Sequence, residues 1–156
     1  MLRISRLTDY GTMILVYLAS RSGQFCSASD IAAGTHVALP TTQKILKVLA
    51  RSGLVVSARG AEGGYALGRQ AASVSAAEIL DVLEGPIAIT ECSSTDSHCE
   101  LESLCQVSGA WQKINKAIQS ALGDISLADL CRPAREVPTN GLAQDISRSV
   151  HRAERR

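Results

Sequence analysis

The chain has no stretch fit to cross a bilayer. Its longest apolar run, MILVYLA at 13–19, is far short of the roughly 20 residues that a spanning helix needs. The opening MLRISRLTDY lacks the apolar segment of a secretory leader. No internal repeat recurs. Nucleophile–base pairs and glycine-rich phosphate loops are also missing, which argues against an enzyme and against a small-molecule substrate. Cysteine is present in an odd number, five, which suits no disulfide framework. The tight C-x2-4-C pairs of most structural zinc sites are absent. These gaps lead us to expect a cytoplasmic protein with no membrane contact, whose thiols stay reduced. Clustered reduced thiols point to metal or redox chemistry.

What is present is enough for a core. Hydrophobic residues make up 46% of the 156, so folding does not require covalent staples. The net charge of +1 conceals an uneven distribution. Residues 1–72 hold eight Lys/Arg against three Asp/Glu, residues 73–131 two against nine, and residues 132–156 six against three. A basic first half suits a polyanion, and an acidic middle does not. Uneven charge is equally compatible with an ordinary solvated surface.

Periodicity predicts a mostly α chain with a small β-hairpin. Ser5 can cap a first helix, and Leu7, Tyr10, Ile14, Tyr17 and Leu18 recur at helical spacing to about residue 21. SASDIAAG (27–34) reads as a short helix with a glycine stop, and LPTTQKILKVLARSG (39–53) as a longer one with Pro40 in its first turn. Two short strands, 54–58 and 65–68, flank RGAEGG. A helix over 73–86 opens on a capping box, Ser75 with Glu78. After a polar loop, 107–123 is amphipathic, with Trp111, Ile114, Ile118, Ala121 and Leu122 on one face. SLADLC (126–131) makes a last helical turn. The tail 132–156 is expected to be disordered.

Three helices followed by a hairpin is the order of a winged helix-turn-helix, here 1–72. The second helix of the pair would enter the major groove of double-stranded DNA with its N-terminal residues against base edges. Those residues are Thr41, Thr42 and Gln43. Threonine can bond a base or offer a methyl to thymine, and glutamine can pair with adenine. Lys44, Lys47 and Arg51 follow, suited to phosphates. Arg59 sits at the root of the wing, placed for a minor groove. The alternative is a helix–hairpin unit for protein contacts, with these charges merely solvated.

The loop ECSSTDSHCELESLCQV holds Cys92, Cys99 and Cys105, spaced C-x6-C-x5-C. Three soft thiolates on one flexible segment select iron–sulfur, zinc or copper(I) over hard cations. A Cys3His zinc site with His98 stays open at this point, as do three unrelated loop cysteines. Cys26 and Cys131 fall outside the spacing and read as small apolar fillers. His36 and His151 have no assignment.

LTDYG (7–11), LARSGLVVSARGAEGGYALGR (49–69), SAAEILDVLEG (75–85) and the three-cysteine loop, in that order, resemble the IscR, NsrR and RirA regulators of the Rrf2 family. The likeness covers about residues 1–131 and looks most like the branch that regulates SUF-system iron–sulfur assembly. It implies a homodimer formed through 107–122, a region 73–131 of cysteine loop and dimer helix, and an iron–sulfur cluster on Cys92, Cys99 and Cys105. IscR-like members place a histidine three residues after the last cysteine, where this chain has Ser108. NsrR-like members use the aspartate of the TDYG box, from the other subunit, which maps onto Asp9. The resemblance therefore implies a 4Fe–4S cluster completed by Asp9, with a 2Fe–2S cluster as the alternative and His98 or Asp96 as other fourth ligands. Its functional reading is a cluster-sensing repressor of SUF genes. The rivals are a nitric-oxide or thiol-redox sensing repressor and, from another class, a zinc-stabilised protein adapter.

Overall fold

The computed structural model describes residues 4–60, 63–93 and 105–132. The elements run α1 (Arg6–Ala19), α2 (Ala28–Thr35), α3 (Leu39–Arg51), β1 (Val55–Ala58), β2 (Gly64–Leu67), α4 (Ala76–Glu84), α5 (Ser108–Gly123) and α6 (Leu127–Leu130). The expected mostly helical chain with one hairpin is what forms. The tail expected to be disordered lies outside the described residues, apart from Arg132.

Local chemistry sets most of the boundaries. Ser5, Ser27, Ser75 and Ser126 each accept a backbone N–H three residues on, opening α1, α2, α4 and α6. The box expected at Ser75 is half made. Glu78 turns away from Ser75 and pairs with Arg69. A full reciprocal box forms at Ser126 and Asp129 instead. Gly53, at φ 80°, follows α3 in the left-handed region that glycine enters without strain. The expected glycine stop at 34 does not hold. α2 continues to Thr35, and His36 takes the left-handed position at φ 58°. Gly34 instead allows a close approach between helices, since a Cβ there would overlap the Tyr17 ring of α1.

β1 and β2 pair antiparallel, Val55 opposite Leu67 and Ala58 opposite Gly64. Cys26 adds a one-residue third strand, exchanging both backbone bonds with Tyr65 at 2.8 and 2.9 Å. One buried cluster unites Ile14, Leu15 and Leu18 of α1, Ile45, Leu46 and Leu49 of α3, Leu54 and Val55, Ile79 and Leu83 of α4, and Leu127 of α6. Each such side chain contributes about 1.5–3 kcal/mol by leaving water. The core therefore runs across the boundary expected at residue 72. α6 docks through backbone, Leu127 N–H donating to Val74 O at 2.7 Å and Ala76 N–H to Ile125 O at 2.8 Å. Cys26 lies in the cluster and Cys131 against it. Burial pushes the Cys131 thiol pKa up, as suits an inert filler.

A carboxylate ties α4 to the start of α1. Glu84 accepts the Ser5 N–H at 2.8 Å and the Thr8 hydroxyl at 2.6 Å. It faces the positive end of the α1 dipole, where an anion is favoured. These bonds, that from Thr8 foremost and those from Ser5 next, hold its pKa below the usual carboxylate value. A lowered folded pKa means the contribution is present above the unfolded value and fades as pH falls through the folded one. Thermal melts across the acidic range should show Glu84→Gln less stable than wild type near neutrality, with the gap closing at low pH. A pH-independent gap would show that the charge contributes nothing.

Candidate nucleic-acid interface and cysteine loop

α3 is amphipathic. Thr42, Ile45, Leu46 and Leu49 are buried, and Gln43, Lys44, Lys47 and Arg51 are exposed on the other side, with Thr41 half-buried. The helix starts at Ala38 without a side-chain cap and has no acidic residue in its first turn. Its first N–H groups thus favour an anion at that end, and Lys44, Lys47 and Arg51 continue the positive charge along the exposed face towards the C-terminus. Among the described residues the ion pairs are Arg69–Glu78 and Arg132–Asp129. Lys44, Lys47, Arg51 and Arg59 are in neither. Arg59 is exposed beyond β1, before a turn in which Gly63 N–H donates to Gly60 O at 3.0 Å. The wing tip, 61–62, lies outside the described residues.

Thr42 requires correction. Its sequence position suggests a base contact, but it is fully buried, and its hydroxyl donates to Val37 O at 3.3 Å and Ala38 O at 3.2 Å. The threonine anchors α3 to the connection before it. Thr41 and Gln43, on either side, remain on the accessible surface. His36, left unassigned by the sequence, is exposed at the α2–α3 joint. Nothing in its sequence context marks the left-handed backbone that places it there.

The loop is described at its two ends. Cys92 lies in a 3-10 turn, Glu91–Ser93, and Cys105 lies just before α5. Both thiols are half-buried and free of disulfides. Thr90 Oγ1 is 3.3 Å from Cys92 Sγ. Gln112 of α5 donates to Cys92 O at 3.3 Å, and Ser108 Oγ donates to Cys105 O at 3.1 Å. Both ends of the loop are therefore fastened to the N-terminal half of α5, whose positive dipole end favours thiolates and the anionic clusters they bind. The donor chemistry fits an iron–sulfur group. Cys99, Asp96 and His98 lie outside the described residues. Asp9 is exposed in the first turn of α1, beside an apolar groove lined by Ile4, Leu80, Leu122 and Ile125. Among the described residues no three His, Cys, Asp or Glu side chains gather as a metal site.

A residue that the sequence pattern does not single out organises this region. Asn115 is the buried residue of α5, 4% exposed, while Trp111 and Ile114 on the adjoining face are 42% and 44% exposed. A signal exists, since a polar residue interrupts the apolar spacing from Trp111 to Ile118. Among the described residues no helix is long and apolar enough to cross a membrane.

With this geometry established, comparison with known proteins gives concordant results. Residues 4–133 match the Rrf2 family, described as iron-dependent transcriptional regulator. The chain is 30% identical over 140 residues to Protein rrf2 of Nitratidesulfovibrio vulgaris Hildenborough, spanning 89% of this chain and 93% of that one. Its fold is similar to that of CymR (YrzC), the global cysteine regulator of B. subtilis, at 32% identity and TM-score 0.67 over 84% of this chain and 97% of the other. It is likewise similar to T. potens IscR at 28% identity and TM-score 0.66, covering 92% and 96%.

The α3 surface leads to separable expectations in a DNA-binding titration. Ala at Lys44, Lys47 or Arg51 should weaken all sequences alike and lower the salt slope by about 1 each. Gln43→Ala should relax discrimination at one base pair by about 1–3 kcal/mol. Thr42→Val should act on stability, by about 1 kcal/mol, and leave discrimination intact. Equal weakening of every sequence by Gln43→Ala would remove that residue from base reading.

Proposed function

The chain belongs to the Rrf2 family of transcriptional regulators, and from that premise we propose that it is a homodimeric, DNA-binding repressor that senses an iron–sulfur cluster and controls cluster-assembly genes of the SUF type. The observation that carries this reading is the attachment of both loop ends, at Cys92 and Cys105, to one end of α5, on a chain whose α3 presents cations in no ion pair among the described residues. α5 is the dimer helix in this reading. Its exposed Trp111 and Ile114 are an apolar face that a second copy would bury. Two-fold symmetry would then present two α3 helices to a partly palindromic operator.

Cys92, Cys99 and Cys105 would hold the cluster, 4Fe–4S by preference and 2Fe–2S otherwise, with Asp9 of the partner subunit as fourth ligand. That assignment of the fourth ligand rests on the resemblance of the TDYG box, and Asp9 is exposed and so accessible to a second copy. A bound cluster supplies a labile, redox-sensitive group that iron starvation, oxygen or nitric oxide can strip. Asp9 on α1 would then link the reading head of one subunit to the loop of the other. A switch from 1:99 to 99:1 needs about 5.5 kcal/mol of differential stabilisation, within reach of a metal–carboxylate bond and an ordered loop in each subunit.

The likeness to a global cysteine regulator favours a second reading, a thiol-redox sensing repressor in which the loop cysteines act without a cluster. Nitric oxide sensing belongs to the cluster-bearing variant. Family membership removes support from the zinc-stabilised adapter.

Anaerobic purification with iron and sulfide assays separates the readings. The cluster reading expects brown protein that is bleached by Ser at Cys92, Cys99 or Cys105 and unaffected by Ser at Cys26 or Cys131. Iron-free protein whose operator affinity follows thiol oxidation would establish the second reading. Asp9→Ala should leave folding and dimerisation intact, make the cluster more labile and abolish cluster-dependent operator affinity. A small drop in Tm with unchanged spectrum would make Asp9 a first-turn residue favoured by the dipole alone, a contribution of about 1 kcal/mol at most.

A further inference from the structure

α5 is joined to the segment that bears Cys92 by side-chain amides. Asn115 Nδ2 donates to Ile87 O at 3.1 Å and to Ser93 O at 3.4 Å, and Asn115 Oδ1 accepts the Ile89 N–H at 3.2 Å. Gln119 Nε2 donates to Ile87 O at 3.0 Å, and Gln112 Nε2 to Cys92 O at 3.3 Å. Positions 112, 115 and 119 fall on one face of a helix. This stripe meets the backbone of 87–93 along its length, and among the described residues that segment pairs with no strand. Asn115 is at the centre of the stripe, buried, and both of its donor hydrogens are used.

An apolar contact can slide, whereas an array of directional bonds to successive peptide groups permits one register. We propose that Asn115 is a positioning residue that fixes the register of the thiol-bearing segment on α5 and thereby places Cys92 at the N-terminal end of that helix. The proposal rests on the reading of Cys92 as a cluster ligand for its functional meaning and on the amide stripe alone for its geometry. Cys105 is held separately, since its carbonyl accepts from the Ser108 hydroxyl and lies C-terminal to the segment that Asn115 grips.

The register predicts an asymmetry between the two thiols. Asn115→Leu keeps the branched shape and heavy-atom count of the side chain and removes every bond of the amide. It strands the Ile89 N–H and the Ser93 carbonyl and leaves the Ile87 carbonyl with Gln119 alone, so segment 87–93 should open more often. In cluster-free full-length protein, mass-resolved maleimide labelling should modify Cys92 roughly tenfold faster in Asn115→Leu than in wild type. Cys105 should label at its wild-type rate, and amide exchange should rise across 87–93 with α1–α3 unchanged. In anaerobically loaded protein the variant should lose iron faster to a chelator. Gln119→Leu, which removes one peripheral bond, should move the same readouts in the same direction by less, and it carries the test if Asn115→Leu does not fold. Wild-type labelling of Cys92 with unchanged exchange in a folded variant would overturn the proposal, as would equal acceleration at Cys92 and Cys105. If wild-type protein takes up neither iron nor sulfide, the cluster reading fails while the labelling asymmetry still decides the role of Asn115.

Discussion

A sixteen-residue helix whose buried residue is an amide is not held to its neighbours mainly by the hydrophobic effect. α5 is fastened to the rest of the chain by bonds from Gln112, Asn115 and Gln119 to the backbone of 87–93. Much else in the C-terminal half follows from this. Trp111 and Ile114 are not spent on internal packing and stay exposed. The extended segment before the loop needs no sheet. The first loop cysteine is set beside the helix that the last one precedes. A conventional apolar interface between α5 and its own chain would have consumed the face on which dimerisation is proposed.

The N-terminal core obeys a different rule. There α1, α3, α4 and the hairpin share one dry cluster, and polar contacts serve mainly at helix ends. Glu84 links the two regimes. It closes α4, accepts from Ser5 and Thr8 at the start of α1, and lies directly before the Gly85–Pro86 turn towards the amide-gripped segment. The turn of α1 that carries Asp9 is thus braced by the residue from which the loop-bearing segment departs.

How much of this is legible in the sequence depends on range. Serine caps at 5, 27, 75 and 126 are signals within four residues, and the helices begin where those serines place them. The glycine at 34 misleads because a stop and a close approach look alike without knowledge of Tyr17 on another helix. Thr42 suggests a DNA contact by its place near the start of α3, yet its spacing with Ile45, Leu46 and Leu49 already puts it on the buried side. Asn115 escapes notice for a related reason: it is a polar residue in an apolar stripe, and its partners at 87–93 are more than twenty positions away. The bond from Ser5 to Glu84 spans 79 residues and leaves no local trace. The cysteine spacing C-x6-C-x5-C is read from the sequence alone, since its middle thiol, Cys99, lies outside the described residues.

The position of Leu127 has a consequence for how the protein comes into being. Its side chain is wholly inside the cluster shared by α1, α3 and α4, and its N–H closes on Val74. Synthesis proceeds from the N-terminus, so the head emerges from the ribosome first, yet it lacks a piece of its interior until residue 127 has been added. A nascent chain cannot complete that cluster before it has also made the cysteine-bearing segment and α5. The order of translation therefore keeps a finished N-terminal core without the thiol-bearing segment from existing, even briefly.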